Sequence, residues 1–437
     1  MTGVDQEKTG LGNYFIANYP PFSAWSRDHL PDARSALDRP SAAGTPLGLY
    51  LHIPFCRKRC KFCYFRVYTD KNARDVDVYL SAITKEVELL ARTASVGGRP
   101  LDYVYFGGGT PSYLSADQLR RLMTGVCDLL PWDHTREVAF ECEPGTLQKH
   151  KLEVLRELGV TRLSLGVENF KPEILKYNGR AHLEEEIHRA YGWARELGFP
   201  QINIDLIAGM VGEDWDNWRE VVTKTLALAP DCVTVYQMEL PYNTIFSKEL
   251  KMVGHDEPGL AVADWPTKRA WVRYAFDEFE KAGYTVTSAT TAVRDPARTK
   301  FVYREALWTG ADMFGTGVAS FGHVGGVHMQ NLDTWEEYIA ALDRGDLPLG
   351  RALPVTDRQK LIRETVLQLK TGKLDPAYFR HKFGVDVRAE FANAFADLEL
   401  AGVIEPGTTT ATPAGLLEID RHLPAFFEPQ YRSARYT

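Results

Sequence analysis

Cys56, Cys60 and Cys63 fall within eight residues of one another in the stretch LHIPFCRKRCKFCYFRVYT, residues 51–69. The other three cysteines, Cys127, Cys142 and Cys232, sit in helix- or strand-like patterns and read as inert core. Clustered cysteines in a chain of this length do not resemble the distributed framework of a secreted disulfide domain. A zinc site uses four N or S ligands in close pairs, and no second Cys/His pair of comparable spacing follows. A 4Fe–4S cluster held by three thiolates, by contrast, leaves one iron without a protein ligand and free to take a small molecule. Four cations, Arg57, Lys58, Arg59 and Lys61, surround the cysteines, as a solvated loop or as a positive rim for an anionic ligand.

A chain of 437 residues, 44% of them hydrophobic, has enough apolar surface for a sizeable core around such a loop. Its 51 basic and 58 acidic residues leave a net charge of −7, which argues against a broadly basic nucleic-acid surface. No run of 18 apolar residues offers a membrane span. The opening MTGVDQEKTG has neither the apolar centre of a signal peptide nor an Arg-rich transit pattern, so the expected location is cytoplasmic.

Apolar runs at 48–54, 101–106, 137–142, 161–167, 201–209 and 231–240 alternate with amphipathic helical patterns at 75–93, 115–130, 182–198 and 215–229. Such a βα repeat calls for a parallel sheet. Six units predict an α/β fold, a partial (β/α)6 barrel whose site lies at the C-terminal ends of the strands. The cysteine loop, FGGGTPS and ECEPG each follow a strand and converge there. The expected organisation is an N-terminal arm at 1–47, the barrel at 48–350, and a mainly helical, winged-helix-like domain at 351–437. That last region shows no basic recognition helix, so it is expected to cover a substrate.

The Cys-x3-Cys-x2-Cys spacing after the first strand resembles the radical S-adenosylmethionine (SAM) superfamily, which implies a 4Fe–4S cluster on Cys56, Cys60 and Cys63 that cleaves SAM to a 5'-deoxyadenosyl radical. LYLHIPFC, GGGTPSYL, RLSLGVENF, NIDLIAGM, LWTGADMFGTGVASF and TPAGLLEID are similar to stretches of the oxygen-independent coproporphyrinogen III oxidase-like branch. By that resemblance Tyr19, Gly108, Glu141 and Phe321 would contact the cluster-bound SAM. Phe62, Gly109, Thr110, Glu168, Arg180, Asp205 and Met238 match positions around a second SAM. Read as residues alone, Glu141 and Asp205 end apolar strands, where an isolated charge is costly to bury. Arg180 suits a carboxylate, whereas Phe62 and Tyr19 read as packing aromatics. His323 and His328, in a Gly-rich stretch, are candidate acid/base groups.

Three departures from the oxidase pattern shift the functional expectation. Phe65 stands where the oxidases carry another cysteine, only Tyr19 and Pro20 match their N-terminal segment, and Glu168 replaces a glutamine. The resemblance then implies a two-SAM C-methyltransferase, or a cyclopropane-forming alkyl transferase, acting on an unsaturated small molecule, with Glu168 and Arg180 in catalytic roles. The alternatives are a coproporphyrinogen oxidase-type oxidative decarboxylase or other tetrapyrrole enzyme, and a haem-binding chaperone, for which no clear axial-ligand motif is present. The implied partners are a small-molecule substrate and an electron donor such as flavodoxin or ferredoxin, with no nucleic acid and no membrane span.

Overall fold

The computed structural model describes residues 9–12, 14–253 and 262–434. Its twelve strands are β1 Leu47–Ile53, β2 Tyr103–Gly108, β3 Glu137–Cys142, β4 Arg162–Glu168, β5 Gln201–Ala208, β6 Cys232–Gln237, β7 Thr285–Ser288, β8 Thr291–Val293, β9 Asp312–Thr316, β10 Phe321–Val324, β11 Val327–Asn331 and β12 Leu349–Pro354. They form one sheet in the order β12-β11-β10-β9-β1-β2-β3-β4-β5-β6-β8-β7. The six expected strands pair in parallel, each with its successor. Parallel neighbours need long crossovers, and helices Ala73–Ala91, Ala116–Leu129, Lys149–Glu157, Glu184–Glu196 and Trp215–Leu228 supply them. Along these strands apolar positions pack into the core, while alternate positions such as Tyr50, Tyr105, Ser164 and Asp205 turn to the open inner face. In β1 every residue except Tyr50 is buried.

The structure adds a seventh parallel strand, β9, on the far side of β1. An antiparallel β10–β12 sheet extends that edge, and the β7–β8 hairpin ends the other, so the sheet stays open. Strand β9 escaped the sequence reading because it is five residues long and contains a glycine in a Gly-rich run.

The N-terminal segment is less of an arm than its Pro- and Ser-rich composition suggests. Helix Leu30–Leu37 packs on β11 and β12, and Ser26 bridges to Ala352. Residues 1–8 and Asn13 lie outside the described residues. Strand β12 runs across the expected boundary at 350/351. Beyond it come helices Asp357–Leu369, Pro376–Phe383 and Ala392–Leu400, with short antiparallel bridges pairing Lys373 with Thr410 and Ile404 with Ala411, a small wing. These helices enclose a second apolar core that also takes in Ile16 and Tyr19. Among the described residues no helix is long and apolar enough to cross a membrane.

Candidate active site at the cysteine loop

The cysteine loop leaves β1 and is pinned by backbone hydrogen bonds. Cys56 N–H donates to the Tyr68 carbonyl (3.0 Å), Tyr68 N–H to Pro54 (2.7 Å) and Lys61 N–H to Asn178 (3.0 Å). Gly179, at φ +83°, lets the chain before Arg180 press on this loop: a Cβ there would lie 3.1 Å from the Arg59 carbonyl oxygen and 3.2 Å from Cys60 Cα. Side-chain donors reach two of the sulfurs, Cys56 Sγ from Thr110 Oγ1 (3.2 Å) and Cys60 Sγ from Arg180 Nη1 (3.4 Å). Burial pushes the Cys56 thiol up to about 12 and the Cys63 thiol up to about 11, so bare thiolates are disfavoured unless a cation compensates them. Among the described residues no group of three or more His, Cys, Asp and Glu side chains gathers round a single ion. A cubane cluster spreads its thiolates over separate irons and is tuned by hydrogen bonds to sulfur, so this loop fits an iron–sulfur cluster.

The loop opens on a cavity of about 1630 Å³. Phe62, Gly108, Gly109, Thr110, Glu141, Glu168, Arg180, Asp205, Met238 and Phe321 all line it with the three cysteines. Strand ends place them. Glu141, on β3, accepts from the Tyr105 hydroxyl (2.6 Å) and from Gly108 N–H (3.1 Å). Gly108 has φ +112°, and a Cβ there would come within 2.4 Å of the His52 ring, so only glycine lets β2 end this way. The next two amides are also committed internally, Gly109 N–H to Ile53 (2.9 Å) and Thr110 N–H to Phe55 (2.8 Å). A ligand at this turn therefore meets backbone closely but not through those donors.

Glu168 ends β4 at φ +64°, beside an irregularity in the β4–β5 register. Its Oε1 lies 3.6 Å from Arg180 Nη1, while Arg180 Nη2 donates to the Gly166 carbonyl (2.6 Å). Asp205 accepts from Ser164 Oγ (2.7 Å) and Asn203 Nδ2 (2.9 Å). Burial, reinforced by Asp205, pushes the Glu141 carboxyl up to about 7. Burial, with Asp205 and Glu141 adding to it, pushes Glu168 up to about 7 against the pull of Arg180. Asp205 is raised by burial as well. Three acids facing two guanidinium groups, those of Arg180 and Arg162, leave a pocket with an excess of carboxyls that holds exchangeable protons near neutrality. Phe62 packs with Met238, Ile174, Ile207, Met210 and Phe246 in a small apolar cluster beside them.

Tyr19 is a correction. It is fully buried, does not line the cavity, packs on Phe427 (4.7 Å between ring centres) and donates through its hydroxyl to Glu428 Oε2 (3.1 Å). The C-terminal core, some 400 residues away in sequence, provides its partners. On that side Asn18, Phe22 and Trp25 face the cavity instead. Phe321 packs against Phe22 (4.4 Å) and Trp25 (5.5 Å).

Sequence reasoning missed Tyr50, which lines the cavity, stacks on Tyr105 (5.8 Å) and shares a hydrogen bond between its hydroxyl and His52 Nδ1 (3.2 Å). Its signal was present in LYLHIPFC, as the polar-tipped aromatic of an otherwise apolar strand. Tyr303, stacked on Tyr105 at 4.3 Å, and Arg363 also line the cavity and had no local signal.

Residues 50–224 match the Radical SAM superfamily profile. The oxygen-independent coproporphyrinogen III oxidase of Pseudomonas aeruginosa is 30% identical over 380 residues, covering 84% of this chain and 81% of that protein. The heme chaperone HemW of Bacillus subtilis is 28% identical over 357 residues, covering 81% and 92%. The solved structure of coproporphyrinogen III oxidase from Escherichia coli superposes with a TM-score of 0.81 at 25% identity, over 94% of this chain and 96% of that one. An open parallel sheet with its cysteine loop after the first strand, shared over nearly the whole length with these relatives, makes this chain a member of the radical SAM superfamily, in the branch of the oxygen-independent coproporphyrinogen III oxidases.

Proposed function

We propose that this protein is a radical SAM oxidoreductase acting on a carboxylate-bearing tetrapyrrole of the coproporphyrinogen class. The observation that carries the reading is the cavity itself, about 1630 Å³, running from the three cysteines past the buried acids to an aromatic and cationic far wall. When bound, a 4Fe–4S cluster and SAM supply the power to abstract hydrogen from an unactivated C–H bond. Cys56, Cys60 and Cys63 would hold the cluster, with Thr110 and Arg180 donating to two of their sulfurs. Gly108, Glu141 and Phe321 would bind one SAM. Phe62, Gly109, Thr110, Glu168, Arg180, Asp205 and Met238 would surround a second, whose sulfonium suits the excess of buried acid. On the far wall Arg351 and Arg363 each have an Nη2 without a hydrogen-bond partner among the described residues, which suits substrate carboxylates. Exposed Lys58 beside the cysteines offers positive charge to an acidic electron donor such as a flavodoxin or ferredoxin.

A second reading, two-SAM methyl or alkyl transfer to an unsaturated small molecule, is favoured by Glu168. A carboxyl titrating near 7 beside a cationic ligand is able to take a proton there, which the glutamine of the oxidases is not. The relatives support the decarboxylase reading over this one. The test is anaerobic incubation of reconstituted protein with coproporphyrinogen III and SAM labelled at its methyl group. Carbon dioxide with 5'-deoxyadenosine and methionine is expected. Labelled product with S-adenosylhomocysteine would establish the second reading. A stoichiometric Soret band on haem addition, without SAM cleavage, would make the protein a haem carrier.

A further inference from the structure

His323 and His328 stand directly opposite each other on β10 and β11, with their Nδ1 atoms 2.9 Å apart. A hydrogen bond between two imidazole nitrogens needs one proton, so one ring donates and the other accepts. The far side of the pair decides which. His328 Nε2 lies 3.0 Å from the Tyr19 carbonyl oxygen, which only accepts, so Nε2 carries the proton. Asn18 Nδ2 is also 3.4 Å from that nitrogen, but its amide is oriented by Arg363 Nε donating to Asn18 Oδ1 (2.7 Å), so that contact is donor against donor. The His328 ring is held flat against Trp25, 5.0 Å between centres and 10° between planes. Burial lowers the affinity of both rings for a second proton, to about 3 for His328 and well below the usual range for His323, so each keeps one. His328 Nδ1 is therefore the acceptor, and His323 Nδ1 the donor. His323 Nε2 is left bare, has no protein partner among the described residues, and belongs to a side chain that lines the cavity. Phe22, Trp25 and Phe321, packed on one another, line the same cavity, a wall suited to a flat ring.

We propose that His323 presents an unprotonated Nε2 to the cavity as the acceptor for a ring N–H of the substrate, and that His328 holds it in that tautomer. The inference rests on reading this cavity as the substrate site, and the pyrrole N–H groups of a porphyrinogen are donors of the required kind. His328 acts through His323 and is a positioning residue.

The test uses full-length protein labelled with 15N-histidine, whose ring nitrogens report protonation directly. His323 should show a protonated Nδ1 and a bare Nε2, and His328 the reverse; a proton on His323 Nε2 overturns the proposal. Millimolar indole, a ring N–H donor, should shift the His323 Nε2 resonance, while N-methylindole should not. Equal shifts from both, or none from either, also overturn it. His328→Phe should leave His323 as a mixture of tautomers; a pure Nδ1–H form in that variant removes the positioning role. Anaerobic binding of coproporphyrinogen III, followed by equilibrium dialysis, should weaken roughly tenfold in His323→Phe and less in His323→Gln, which keeps an acceptor. Equal binding by wild type and His323→Phe overturns the proposal. Where wild type binds no coproporphyrinogen yet indole still moves Nε2, the tetrapyrrole reading fails and the acceptor stands.

Discussion

Around the cysteines, the cavity takes its side chains from strand ends and the turns that follow them: the loop after β1, Gly108 to Thr110 after β2, Glu141 on β3, Glu168 on β4 and Asp205 on β5. Across from them, Asn18 and Trp25 come from the N-terminal segment, Phe321 and His323 from β10, Arg351 from β12 and Arg363 from a C-terminal helix. The first wall is acidic, with carboxyls held near neutrality. The second is aromatic, with imidazoles held neutral. Burial acts on both, and it drives each toward its uncharged form, which means protonated carboxyls on one side and deprotonated imidazoles on the other. The wall that would bear the radical chemistry is encoded in short contiguous motifs, whereas the wall that would meet the substrate is assembled from segments hundreds of residues apart.

The largest effect that would break this division is expected at the cysteines. Cys60→Ala should abolish SAM cleavage and lower bound iron from about four per chain, while Cys127→Ala, on the helix Ala116–Leu129, leaves both unchanged. SAM cleavage surviving in Cys60→Ala would remove the cluster from this wall.

Next is Arg180→Ala, which deletes the donors to Gly166 and Cys60 and the partner of Glu168. A charge-assisted contact of about 1.5–3 kcal/mol corresponds to SAM binding weaker by roughly tenfold or more. Equilibrium binding of SAM to reconstituted protein measures it, and unchanged affinity would leave Arg180 a purely structural residue.

A pH comparison sharpens the contrast between the walls. The Glu168 carboxyl is raised in the fold to about 7 from an ordinary 4.5, so its protonated form stabilises the native state fully below 4.5, and that contribution is lost as pH climbs to 7. His328 is depressed from 6.5 to about 3, so its contribution is present above 6.5 and lost as pH falls through that window. Relative to wild type without ligand, Glu168→Gln should therefore gain stability from pH 4.5 to 7, by at most about 1.4 kcal/mol per pH unit. His328→Phe should compare worst above pH 6.5 and recover as pH falls. Urea melts across the window test both, and parallel lines in either variant refute the corresponding linkage.

The smallest effect is expected at Tyr19→Phe. Removing the hydroxyl between Glu428 N–H and Glu428 Oε2 should cost about 1 kcal/mol of stability and leave the SAM dependence of cleavage untouched. A raised KM for SAM with unchanged stability would return Tyr19 to the SAM site.

The legible half of the site illustrates why spacing is informative. Cys56, Cys60 and Cys63 lie on one loop, and Glu141, Glu168 and Asp205 lie on successive parallel strands, so a βα repeat brings them to one mouth whatever the later packing does. Tyr50 was legible in principle, since one exposed-tipped aromatic in a buried strand must face something. Tyr19 was not: its ring and hydroxyl are equally suited to a ligand or to Phe427 and Glu428, and only the docking of the C-terminal helices chooses.

By itself the sequence determined the parallel sheet, because strand-like runs alternating with amphipathic helices form βα units whose crossovers set successive strands in parallel. It also determined the cysteine loop and the glycines that let β2 and Arg180 crowd against it. The tertiary structure alone decided the added strand β9, the place of Tyr19 in the second core and the pairing of His323 with His328 across a β-ladder. The proton arrangement of that pair depends on a carbonyl from residue 19 meeting a ring from residue 328. Contacts of that kind are set by how separate elements dock, and no local spacing along the chain encodes them.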